Sequence, residues 1–146
     1  MNERNAPLQA VIPFLLEQTL RMSRAHAQRA FVEAGIDITV EQWVLLMQVS
    51  QRPLIAQHEL AATALKDAAS ITRMVDALQK HGLVARHAAP DDRRKYLLQL
   101  TPAGEALIEQ HLDLVVRLRA QGVQGFSPEE VLQLRDFLLR MQANFE

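Results

Sequence analysis

Along most of this chain, apolar positions recur every three or four residues, the spacing of a helix with one buried face. Over residues 7–34, Val11, Phe14, Leu15, Leu16, Leu20, Met22, Ala27, Ala30 and Phe31 predict one long helix. Pro13 disturbs it, because proline inside a helix removes a hydrogen bond and costs about 3 kcal/mol. The helix is therefore expected to start near Pro13, with residues 7–12 as a separate turn or a kinked lead-in. Gly35 ends it. Thr39-Val-Glu-Gln42 then forms a capping box, with Ile38 and Trp43 at the two positions of a hydrophobic staple. This second helix is expected to run to Gln51, with Trp43, Leu46, Met47, Val49 and Ser50 toward its buried side. Arg52-Pro53 closes it, since the residue before a proline disfavours helix.

The pattern changes character between Glu59 and Thr101. A short helix is expected over residues 57–65, with Ala56 at its cap position. In a second helix Ile71, Met74, Val75 and Leu78 fall at i, i+3, i+4 and i+7 and share one face. Ser70, Thr72, Arg73, Asp76 and Lys80 occupy the other. Asp67 stands where an N-cap is needed, and Gly82 where the chain must turn left-handed to stop. Residues 83–86 and 96–100 have strand composition, and Pro90-Asp-Asp-Arg-Arg-Lys95 joins them. A helix pair followed by a basic hairpin is a winged helix-turn-helix, an arrangement suited to reading duplex DNA.

The remaining elements are helical again. Pro102, capped by Thr101, opens a third long helix with Leu107, Leu112, Val115, Val116 and Leu118 as its apolar stripe, broken between Gly122 and Gly125. Ser127-Pro-Glu-Glu130 is a second capping box, with Phe126 and Val131 as its staple. The last helix uses Val131, Leu134, Phe137 or Leu138, and Met141, with Phe145 at its end. The predicted fold class is mainly α with a small β-hairpin wing, in a single domain. Residues 39–101 would form the winged helix-turn-helix, with the wing at 84–100. Residues 7–34 and 102–146 would be dimerisation helices, because they offer more apolar surface than one small domain covers.

Composition sharpens this reading. Residues 57–100 hold seven Lys/Arg against five Asp/Glu, whereas residues 101–146 hold four against seven. A modestly basic centre suits one phosphate-facing surface rather than a non-specific nucleic-acid coat. There is no cysteine, which excludes disulfides, thiolate metal sites and thiol redox sensing. The N-terminus lacks signal-peptide character and no apolar run approaches a membrane span, so a soluble, cytoplasmic protein without membrane contact is expected. No Gly-rich phosphate loop, Gly-x-Ser-x-Gly or HExxH speaks for an enzyme, and no cofactor is expected. Five histidines, at 26, 58, 81, 87 and 111, show no short ligand spacing.

The run TRMVDALQKHGLVAR followed by DDRRKYLLQLTPAG, together with ITVEQWVLL at 38–46, resembles the MarR family of winged-helix transcriptional regulators. The wing pattern of that family is carried by Asp92, Arg94, Leu100, Thr101 and Gly104. Ala56 departs from it, standing where the family has a Thr or Ser cap. The resemblance implies a two-fold homodimer that binds a near-palindromic double-stranded operator, as a repressor released by a small aromatic or lipophilic ligand; a zinc-responsive regulator of the same fold is the alternative. It places the second helix of the pair in the major groove. Ser70, Thr72 and Arg73 would face base edges there, although the two hydroxyls are equally suited to anchor phosphates. Lys80 is a general phosphate contact or a solvent residue. Arg93, Arg94 and Lys95 crowd the wing tip, and Arg94 would enter the minor groove. Asp92 would hold the turn, and Asp76 would pair with an arginine. His26, Trp43 and Met47 would line the effector pocket by position, although Trp43 and Met47 also fit a plain core and His26 a solvated face.

Overall fold

In a computed structural model, described for residues 6–64 and 66–146, the chain divides into two compact units, residues 1–112 and 113–146. The element order is α1 (Ile12–Glu33), α2 (Val40–Gln51), β1 (Ile55–Ala56), α3 (Gln57–Thr63), α4 (Ala68–Lys80), β2 (Val84–Ala88), β3 (Tyr96–Leu100), α5 (Pro102–Gly122) and α6 (Pro128–Ala143). A short 3-10 turn at Leu8–Ala10 precedes α1. Proline decides where α1 begins: Pro13 lies in its first turn, where a missing N–H is harmless. The start near Pro13 is as expected, and of the two forms left open for residues 7–12 the separate turn is observed.

Local capping fixes the next boundary. The Thr39 hydroxyl accepts the Gln42 amide at 3.1 Å, and the Thr39 amide donates to Gln42 Oε1 at 2.9 Å. Gln28 of α1 accepts the Val40 amide, tying the two helices at their junction. There Phe31 meets Trp43 edge-on, centroids 5.7 Å apart, and both are 1% exposed. The buried positions of α2 are Trp43, Leu45, Leu46 and Val49. Ser50, expected on that side, is exposed, and Leu45 takes its place, because α2 is covered on more than one face.

One strand was not foreseen. Leu54, at φ 62°, turns the chain so that its amide donates to Leu98 O, and Ile55 and Ala56 then pair with Leu98 and Leu97. A non-glycine residue in that left-handed region carries about 1–2 kcal/mol of strain, which the added strand offsets. The wing is therefore a three-stranded antiparallel sheet in the order β1-β3-β2 rather than a bare hairpin. α3 ends at Thr63, short of the expected Leu65, which lies outside the described residues. Ala56 caps α3 without any side-chain bond, as its identity requires.

The core of the first unit is built by α1, α2, the sheet, α3 and α4. Leu46, Leu60, Ile71, Val75, Leu78 and Leu98 are each 0% exposed. At about 1.5–3 kcal/mol per fully buried side chain, this set dominates the stability of the winged helix. Met74, predicted on the same face of α4, is only half-buried. Thr101 and Gly104 pin the first turn of α5: Thr101 Oγ1 donates to Gly82 O and accepts the Gly104 amide, while Thr101 N donates to Leu83 O. A β-carbon on Gly104 would lie 2.2 Å from Leu83 O, so this position admits glycine alone.

In the second unit, Ser127 and Glu130 form the expected capping box and Pro128 occupies the first turn of α6. Yet α6 buries no residue within the chain: Leu132, Leu134, Phe137 and Leu139 are 40–62% exposed. Phe126, expected to staple the helix start, is 48% exposed. In the first unit, the start of α1 is likewise open at Ile12, Leu16 and Leu20. Among the described residues, no helix is long and apolar enough to cross a membrane.

Candidate nucleic-acid interface

α4 is an amphipathic helix whose buried face is satisfied by its own chain and whose other face stays open. Its N-terminus is closed by Asp67, which accepts the Ser70 amide on one oxygen and the Ser70 hydroxyl on the other, both at 2.8 Å. These two bonds hold the Asp67 carboxyl below the usual aspartate range, and Arg73 adds to the effect. Ser70 also accepts from the Arg73 guanidinium at 3.0 Å. Its hydroxyl, half-buried, is therefore engaged on both its donor and acceptor sides.

Thr72 and Arg73 are exposed on the N-terminal half of α4. Lys80 is exposed in the last turn, about 15 Å along the axis from Ser70 at 1.5 Å per residue. There it complements the helix dipole, apart from the other three. At the turn joining β2 to β3, Asp92 Oδ1 accepts the Arg94 amide at 2.9 Å and lies 3.6 Å from Arg94 Nε. Asp92 thus holds the turn as expected. Arg93, Arg94 and Lys95 are all exposed, and the Arg94 side chain is 94% so. Two cationic groups, one on a helix and one on a hairpin tip of the same unit, are thus presented to solvent.

Behind them lies a residue the sequence did not single out as functional. Arg86 of β2 is 16% exposed at its side chain. Its Nη1 donates to Asp76 Oδ1 and to Gln79 Oε1, its Nε donates to Gln57 Oε1 at 3.1 Å, and its guanidinium stands over the Tyr96 ring. Asp76 therefore has the arginine partner it was expected to have. Gln57 passes its own amide hydrogen to Thr72 Oγ1 at 3.1 Å. The signal was present only as an arginine in a strand that also holds buried residues.

The three effector-pocket candidates do not share one environment. His26 is exposed on α1, Met47 is half-buried, and Trp43 belongs to the core. A cavity of about 110 Å³ opens instead between α1, α2 and α4, lined by Arg24, Glu41, Val44, Gln48, Lys66 and Met74 among others. Glu41 takes Arg24 at 2.8 Å and Lys66 at 3.5 Å, and the buried Gln48 Oε1 has no partner among the described residues. Neither His26, Trp43 nor Met47 lines it. The five histidines stand on separate segments, and among the described residues no group of three His, Asp or Glu could hold a metal ion. The zinc-responsive alternative therefore finds no support.

Comparison with known proteins gives a consistent picture. The MarR family model matches residues 38–96, from just before the cap of α2 to the first residue of β3. The HTH-type transcriptional regulator YhbI of Bacillus subtilis (strain 168) is 36% identical over 124 residues, covering 82% of this chain and 80% of that one. A probable transcriptional regulator from Pseudomonas aeruginosa is 32% identical with a TM-score of 0.80, over 92% of this chain and 99% of that one. A mutant MarR from E. coli, solved in complex with operator DNA, is 26% identical with a TM-score of 0.82, over 94% of this chain and 99% of that one.

Proposed function

Because this chain belongs to the MarR family of winged helix-turn-helix transcriptional regulators, we propose that it binds a near-palindromic DNA operator as a homodimer and represses from it. The observation that carries the reading is the pair of exposed cationic groups on one winged unit, Arg73 on α4 and Arg93–Lys95 on the wing. α4 enters the major groove with its N-terminal half leading, and the Arg73 guanidinium bonds guanine O6 and N7. Arg94 enters the adjacent minor groove, where A·T-rich steps concentrate negative potential. Lys80, at the far end of α4, contributes only a general phosphate interaction. The Ser70 hydroxyl, donating to Asp67 and accepting from Arg73, holds the helix cap and Arg73 in place and keeps one acceptor site toward the DNA.

In this reading residues 39–101 form the reading head, and residues 7–34 and 102–146 pair two copies. Pairing sets two heads about one turn of DNA apart, which is why the operator is two-fold symmetric. The cavity between α1, α2 and α4 supports release by a small ligand. Its volume is of the order that accepts a single ring, since dry cavities of about 150 Å³ hold benzene. Two cations against one carboxylate favour a ligand with an acid group, and Met74 on its wall links occupancy to the reading helix. Such a ligand lowers DNA affinity only by preferring a conformation with misplaced heads.

The test is a titration of the parent, Arg73→Ala and Arg94→Ala against a panel of single-base operator variants, with circular dichroism as the folding control. Arg73→Ala is expected to lose about 1–3 kcal/mol on the true site and to relax preference at one base pair per half-site. Arg94→Ala is expected to weaken binding broadly, with lost selectivity confined to A·T-rich flanks. Affinity for the parent falls with salt, log K against log salt sloping about −0.9 per neutralised phosphate. Parent-like binding by both variants would overturn the assignment of helix and wing to the two grooves.

A further inference from the structure

The hydrogen bonds around Arg86 carry information beyond holding the fold, because a guanidinium has donors and no acceptor. Whatever faces it must accept. Asp76 and Gln79 fix the guanidinium from the α4 side, so its Nε–H points at Gln57 with little freedom. The Gln57 side chain must then present its oxygen to Arg86, and its NH₂ group turns to Thr72. Thr72 Oγ1, meeting an NH₂ donor at 3.1 Å, is forced to accept there. Its single hydrogen goes to the carbonyl of Ala68, 2.9 Å away in the preceding turn. A threonine hydroxyl has one donor and two acceptor sites. What remains at the exposed side of Thr72 is one lone pair.

From this we propose that Arg86 is a positioning residue which, through Gln57, sets Thr72 to meet DNA only as a hydrogen-bond acceptor. Phosphate oxygens and the guanine and thymine carbonyls in the major groove are acceptors themselves and are refused. The groups that fit are the exocyclic amines, adenine N6 and cytosine N4. Thr72 thereby reads an adenine or cytosine amine and is not a phosphate anchor. The inference rests on the docking of α4 proposed above. It also assigns the two neighbours different duties: Arg73 seeks acceptors and Thr72 seeks a donor, so adjacent positions on one helix discriminate opposite base chemistries.

The experiment uses the full-length dimer and its operator, mapped by footprinting the DNA upstream of its own gene. In one duplex series each adenine is replaced in turn by purine and each cytosine by 2-pyrimidinone, which deletes the amine. In a second series single phosphates are replaced by methylphosphonates. Parent, Thr72→Val, Gln57→Ala, Arg86→Ala and Arg73→Ala are titrated against both. At one base pair per half-site, deleting the amine is expected to weaken the parent about 2- to 10-fold, the worth of one hydrogen bond. Thr72→Val, which keeps the shape and lacks the hydroxyl, loses that response. Gln57→Ala and Arg86→Ala remove the donor that fixes the rotation of the Thr72 hydroxyl, so that its hydrogen can leave Ala68 O and turn outward. They respond less than about twofold there, while keeping the parent's preference at the Arg73 base pair. Coupling of Thr72→Val to a methylphosphonate instead of an amine would overturn the proposal, as would a full amine response in both Gln57→Ala and Arg86→Ala. If Arg86→Ala fails to fold by circular dichroism, Gln57→Ala alone decides, since it leaves the Asp76–Arg86 pair in place. Parent-like binding by Arg73→Ala on every duplex would sink the docking itself, a different failure from a lost or misplaced amine response.

Discussion

α4 and α6 are helices of similar design with opposite fates. Both begin at a side-chain cap, Asp67 and Ser127, and both carry apolar residues at helical spacing. In α4, Ile71, Val75 and Leu78 are each 0% exposed, covered by the chain's own core. In α6 nothing is buried, and Phe137 stands 55% exposed. The sequence pattern is the same; the difference lies in where the covering surface comes from. In the proposed reading, α4 meets DNA with a face it can leave open because its other face is satisfied internally. α6 has an apolar face that its own residues leave open, and in the proposed dimer a second copy covers it. In that reading stability and specificity are built into one region, and association into the other.

That contrast can be broken most directly at α6. Phe137→Glu is expected to leave a monomer at micromolar concentration in sedimentation velocity. A loss of about 3 kcal/mol or more should weaken operator binding about 100-fold, because a two-fold interface contains each residue twice. Trp43 fluorescence should stay parent-like, since its surroundings belong to the same chain. A Phe137→Glu protein that remains dimeric would remove the distinction between the two helices. Leu78→Ala, the counterpart in α4, should lower stability in urea by about 2–5 kcal/mol and leave a dimer in buffer. Smaller still are the caps. Thr39→Ala and Ser127→Ala each delete a bond to an orphan amide, worth about 0.5–2 kcal/mol, and unfolding midpoints should rank them below Leu78→Ala.

The smallest effect concerns pH. The Asp67 carboxyl is held below the usual aspartate range by the Ser70 amide and hydroxyl. A depressed folded-state pKa gives stability that is complete above the ordinary aspartate range and is lost as pH falls through the lowered value. Thermal melts from about pH 5 down to about pH 2 should show an acid limb that Asp67→Asn makes shallower. An unchanged limb would mean that other carboxylates govern it.

What the sequence disclosed follows the range of the interaction. Caps act over three residues, so Thr39–Gln42, Asp67–Ser70 and Ser127–Glu130 were legible letter by letter. The helix pair and the wing strands were legible from periodicity and from the family resemblance. β1 was not, because two residues show no alternation and its partner lies more than forty positions away, at Leu97 and Leu98. Arg86 was hidden for the same reason: its acceptors come from α3 and α4, 29 and 10 residues away. The effector trio rested on position alone. Position along α2 does not tell which side of a helix covered on several faces borders a cavity, and that border fell on Val44 and Gln48 rather than Trp43 and Met47.

Two glycines flank the wing, and they resist mutation in different ways. Gly82, at φ 72°, has open space where a side chain would go, so its demand concerns the backbone angle alone. Asparagine tolerates that region, and the position can drift among relatives at small loss. Gly104 has an ordinary angle and no room, with Leu83 O in the way. No rotamer or neighbouring repacking relieves a clash with backbone, so even alanine is refused. In a saturating mutational scan Gly82 would appear as a position with a short menu and Gly104 as one with a single letter.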